Sequence, residues 1–64
     1  MEKRVWVISC TKNGFTFKIL LRTLEESIRE YMHTELTGLM TSYSGATEKE
    51  IEAGIILGLP IYCY

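Results

Sequence analysis

Over residues 5–22 the chain alternates apolar and polar positions about a central Asn13-Gly14. Asn-Gly is the favoured pair for a two-residue type I′ turn, because both central positions need φ > 0. A turn there sets Cys10 opposite Phe17, Ile8 opposite Ile19 and Trp6 opposite Leu21. That face is apolar except for Lys12 opposite Phe15. Val5, Val7, Ser9 and Thr11 meet Arg22, Leu20, Lys18 and Thr16 on the other, mostly polar face. A one-residue slip would scramble the sorting, so turn and pattern specify one register. The reading predicts strands over 3–11 and 15–22.

The period then lengthens. Thr23-Leu24-Glu25-Glu26 has the form of a capping box, in which the Thr hydroxyl accepts from the N3 amide and Glu26 reaches back. Leu24, Ile28, Tyr31, Met32 and Leu36 recur at helical spacing, while Glu25, Glu26, Arg29, Glu30 and His33 fill the wet side. Gly38 closes this helix. A helix starting as early as Phe17 also fits the spacing, but leaves the Asn-Gly turn and the Thr23 cap without a role.

Residues 37–46 carry no helical period and read as a loop, with room for a short edge strand pinned by Leu39 and Met40. Thr47-Glu48-Lys49-Glu50 is a second capping box, opening a helix that runs to about Leu57. Gly58 stands at its C′ position, and Pro60 forbids continuation. Residues 60–64 read as a strand with Ile61 and Cys63 facing inward and Tyr62 and Tyr64 facing outward. The order strand, strand, helix, loop, helix, strand predicts an α+β fold. Its sheet would have three or four strands, covered on one face by both helices. The alternative is a minimal βαβαβ unit with a parallel sheet, built on the longer first helix. The expected core is Trp6, Ile8, Cys10, Phe17, Ile19, Leu21, Leu24, Ile28, Met32, Ile51, Ile55 and Ile61.

Composition narrows the chemistry. The 64 residues suit one small domain, with seven Lys and Arg against eight Glu and a net charge of −1. That balance speaks against nucleic acid or an anionic membrane surface as partner. The longest uncharged stretch, residues 53–64, is well short of the ~20 residues a membrane span needs. No signal-peptide pattern precedes the first strand. A cytoplasmic protein is expected, with no cofactor.

One His and two Cys cannot complete a four-ligand zinc site. Cys10 and Cys63 are expected as reduced, unreactive thiols. A bridge between them would need Cα atoms within about 7 Å. His33, near the end of the first helix on its polar side, fits a surface role beside the helix dipole. No motif of nucleophilic catalysis is present, and an enzyme is not expected.

Ser44, Gly45 and Thr47, at the start of the second helix, form a weak candidate anion site, since helix N-terminal amides can receive a phosphate or carboxylate. Residues 44–62 loosely resemble the phosphate-side segment of nucleoside 2-deoxyribosyltransferase-like proteins through Ser44, Gly45, Glu50 and Pro60. The resemblance covers less than a third of the chain, with one extra residue before the Glu, and carries no activity over.

The polar face of the hairpin is less polar than its name. Val7 and Leu20 lie there with Lys18 and Arg22, and the sequence reading adds Tyr62 and Tyr64. These six are the expected partner-binding surface. The leading functional expectation is therefore a small non-catalytic interaction or regulatory module acting through a sheet face or edge, on a protein partner or on itself. Small proteins carried by phages and mobile elements commonly act in this way. Single-stranded nucleic-acid binding by stacking on Trp6, or on Tyr62 and Tyr64, flanked by Lys18 and Arg22, or an anion or nucleotide site at residues 44–47, are the alternatives.

Overall fold

The structure is a computed structural model that describes residues 2–64. Its elements are β1 (Arg4–Lys12), β2 (Phe15–Thr23), α1 (Glu25–Glu35), β3 (Met40–Gly45), α2 (Glu48–Ile56) and β4 (Ile61–Cys63). The four strands make one mixed sheet in the order β3-β1-β2-β4, with β3 and β2 antiparallel to β1 and β4 parallel to β2. This is the expected α+β class and element order. Phe17 lies within β2, which removes the longer first helix and the βαβαβ alternative.

The hairpin forms as the pattern requires. Asn13 and Gly14 take φ of 52° and 82°, and Cys10, Ile8 and Trp6 stand opposite Phe17, Ile19 and Leu21. Beyond the expected end of the strand, Thr23 does not cap α1. It continues β2, fully buried, and its hydroxyl donates to the Tyr64 carbonyl at 3.2 Å. Its own carbonyl accepts from Trp6 Nε1 at 3.0 Å. The N-cap of α1 is Leu24, which makes no side-chain cap. Pairing to Arg4 and the arrival of the C-terminal strand use the groups that a cap would need.

The second capping box is formed: Thr47 Oγ1 accepts from the Glu50 amide at 3.2 Å, and the Thr47 amide donates to Glu50 Oε1 at 3.1 Å. α2 closes with Gly58 at φ 76°, its amide donating to Ile55 O and that of Leu59 to Gly54 O. This is the two-bond C-terminal cap that Gly at C′ permits.

The helices do not share a face. Leu36, Tyr31 and Met32 pack from the α1 side onto Ile8, Cys10 and Leu21. α2 lies against the opposite side, over Val7 and Leu20. A Cβ built on Gly54 would come within 2.5 Å of Leu20 Cδ1, so this glycine is what allows the close approach. The expected single covered face is thus corrected to a sheet covered on both. The physical reason is the hairpin itself, which presents apolar side chains in both directions, and each set requires cover.

β4 also faces opposite to expectation. Parallel pairing sets Tyr62 beside Leu21 and Ile61 beside Leu20. Tyr64 therefore meets Tyr31 of α1 edge-to-face, with ring centroids 5.2 Å apart, while Cys63 lies on the α2 side. Of the expected core, Ile8, Cys10, Leu21 and Ile28 are completely buried, but Phe17 is 47% and Ile55 62% exposed. Phe17 stands toward the hairpin tip, where Phe15 is exposed as well, and α2 turns Gly54 rather than Ile55 to the sheet.

Candidate interaction surface

The sheet order leaves the outer side of β3 open. Which backbone groups face outward follows from one bond. The Ala46 amide donates to the Val5 carbonyl at 3.0 Å, and the β1–β3 register pairs Val7 with Ser44 and Ser9 with Ser42. In an antiparallel ladder, bonding alternates along the strand. The even residues Met40, Ser42 and Ser44 therefore bond inward to β1, and Thr41, Tyr43 and Gly45 turn their N–H and C=O groups outward.

The flanks of this edge are uncharged. Met40, Ser42, Ser44 and Gly45 are exposed, and no charged residue or proline falls between Met40 and Gly45. Tyr43 is half-buried on the α1 side, edge-to-face on Trp6 with centroids 5.9 Å apart. Natural edges are usually blunted by charge, proline or a bulge. The opposite edge, β4, is only three residues long and follows Pro60.

The six residues expected to form a partner surface do not come together. Val7 and Leu20 are each 5% exposed, covered by α2. With Lys18, Glu50, Ala53, Gly54, Leu57 and Leu59 they line a cavity of about 190 Å³ beneath that helix. Lys18 and Arg22 are exposed on this side, whereas Tyr62 and Tyr64 lie on the α1 side. The stacking alternative fails to assemble for the same reason. Trp6 is buried, with its indole N–H bonded to Thr23 and its edge against Tyr43. The tyrosines and the cations meant to flank them stand on opposite faces.

At the weak anion site, Ser44 and Gly45 belong to β3, and the Ala46 amide is used by Val5. Glu50 already places its carboxylate on the amide of Thr47. The helix start thus holds an anion of its own, which would repel another.

Cys10 and Cys63 are both free, one buried and one exposed, and they stand on opposite faces of the sheet. Burial raises the Cys10 thiol above its ordinary pKa, so it stays protonated at neutral pH. His33 is exposed in the last turn of α1. Among the described residues, no three His, Cys or Glu side chains gather as a metal site would require, and no helix is long and apolar enough to cross a membrane.

The sequence reading placed a short strand near Leu39 and Met40 but gave it no function. The available signal is the uncharged run from 40 to 45, which sets Thr41, Tyr43 and Gly45 on one face. Comparison with family models, with curated proteins and with solved structures yields no match.

Proposed function

We propose that this protein is a small, non-catalytic interaction module that works by strand addition at the open edge of β3. One observation carries the reading: Thr41, Tyr43 and Gly45 present backbone donors and acceptors that nothing among the described residues pairs or covers, on an edge without charge or proline. An extended segment laid along such an edge gains main-chain hydrogen bonds without a prepared pocket. The sheet face around Val7 and Leu20 is covered by α2, which leaves the edge as the favoured route.

The test uses a substitution confined to the edge. Thr41→Pro deletes an outward N–H and leaves the inward bonds of β3 intact, so circular dichroism should report an unchanged fold. Wild-type and Thr41→Pro baits are then compared in lysate of the native host. Proteins retained by wild type and lost by Thr41→Pro are expected. Identical capture by the two folded baits would refute edge addition.

A further inference from the structure

Resting on the reading of β3 as a docking edge, we infer that its occupant is a second copy of this chain, paired antiparallel about a two-fold axis through Tyr43. Geometry leaves few choices. Opposite residues of an antiparallel pair share a face, so the axis must pass through a residue of the strand. Through Tyr43, Thr41 of each copy lies opposite Gly45 of the other, and Tyr43 lies opposite its own counterpart. Each of these three pairs exchanges two backbone bonds, and every outward donor and acceptor of β3 is used. Through Ser42, by contrast, Gly45 falls opposite Leu39, outside the strand.

The side chains agree with the Tyr43 axis. Met40 meets Ala46, Thr41 meets Gly45 and Ser42 meets Ser44, so each large residue faces a small one or its equal. No charge meets its like along the seam. The two Tyr43 rings lie across the axis on the side where each already packs on Trp6. A net charge of only −1 per copy opposes association weakly. The edge carries no charge with which to select a foreign strand electrostatically.

The experiment uses the purified full chain carrying Cys63→Ser, which removes the exposed thiol. In sedimentation equilibrium the apparent mass should rise with concentration to twice the 7.4 kDa chain mass and stop there. Ser42→Lys/Ser44→Lys, at two exposed positions, sets lysines against lysines across the axis and should return the monomer with an unchanged circular dichroism spectrum. Thr41→Pro should do the same by deleting a donor, and serves if the lysine pair perturbs the fold. Oxidation of a Ser42→Cys and Ser44→Cys mixture should cross-link one variant to the other, with little cross-linking of Ser42→Cys alone. A wild-type monomer up to about 1 mM overturns self-pairing, and the bait comparison then judges edge docking separately. A dimer indifferent to both edge variants overturns β3 as its seat. Preferential cross-linking of Ser42→Cys to itself overturns the Tyr43 axis.

Discussion

The α1 and α2 faces belong to the same four-stranded sheet, yet they are closed in different ways. On the α1 side, Ile8, Cys10, Leu21 and Ile28 lose all contact with water, and Leu36 and Trp6 nearly so. On the α2 side, Val7 and Leu20 are covered, but the only buried residue of the helix is Gly54. Ile55 and Ile56 remain 62% and 84% exposed, and a cavity of about 190 Å³ stays open beneath α2. One helix interdigitates, whereas the other leans on the sheet through a bare patch of backbone. Apolar content does not explain the contrast, since α2 is the more apolar helix. Orientation does: α1 turns a stripe of large side chains inward, and α2 turns a glycine. Local opening free energy follows buried apolar contact, so α2 should open first.

The largest expected effect is on the α1 face. Leu21→Ala removes a fully buried side chain from the centre of the packed cluster and should cost about 2–5 kcal/mol. A 64-residue chain has roughly 3–10 kcal/mol in total, so thermal melting should become broad or vanish. Leu20→Ala, one residue along and nearly as buried, should cost about 2 kcal/mol or less, because α2 can settle into the space beside an existing cavity. Equal losses in urea titration would erase the distinction between the faces.

Gly54 sharpens it further. A methyl there meets Leu20 Cδ1, the free end of a flexible side chain, while alanine improves helix propensity by about 1 kcal/mol over glycine. The two effects oppose each other, and Gly54→Ala should be close to neutral. Gly54→Leu has no room to settle and should lift α2 from the sheet. Amides of α2 would then exchange rapidly while those of β1 and β2 stay protected. If β1 and β2 lose protection with α2, the two layers fold as one unit.

Sequence made some of this legible and hid the rest for definite reasons. Asn13-Gly14 fixed the hairpin because turn chemistry and alternation demanded the same register. Thr47 and Glu50 marked the start of α2, and Gly58 its end, because capping is a local interaction. Thr23 misled for the opposite reason: the same residue type served a non-local bond to the Tyr64 carbonyl, invisible to a short window. Ile51 and Ile55 suggested the buried stripe of α2, but contact was set by how closely backbone could approach Leu20, which favours Gly54. The facing of β4 is opposite to that expected from sequence because a three-residue strand has no periodicity of its own. Its parity comes from the partner, through Leu20 opposite Ile61. The open edge of β3 depends on strand order, which lies wholly in the tertiary fold.

The smallest expected effect reads the α1 face through its protons. Burial raises the Cys10 thiol and, with Glu35, the Tyr31 phenol; burial and Glu30 raise Tyr64. All three stand on the α1 side. For each, the unfolded chain releases its proton at a lower pH than the folded chain does. The folded state therefore holds more protons in the alkaline range, and stability falls as pH rises above the ordinary thiol value of about 8.5 and then the phenol value of about 10. Urea midpoints should be level between pH 7 and 8 and decline at higher pH. Cys10→Ala should cut the earlier part of that decline and leave the later, tyrosine part in place. A thiol reagent at pH 8 supplies the control on the same face: Cys63 should react at once, and Cys10 only as fast as the α1 layer opens. If Cys10 instead reacts as quickly as Cys63, or if the midpoint rises with pH, the α1 face is not the sealed side of the sheet.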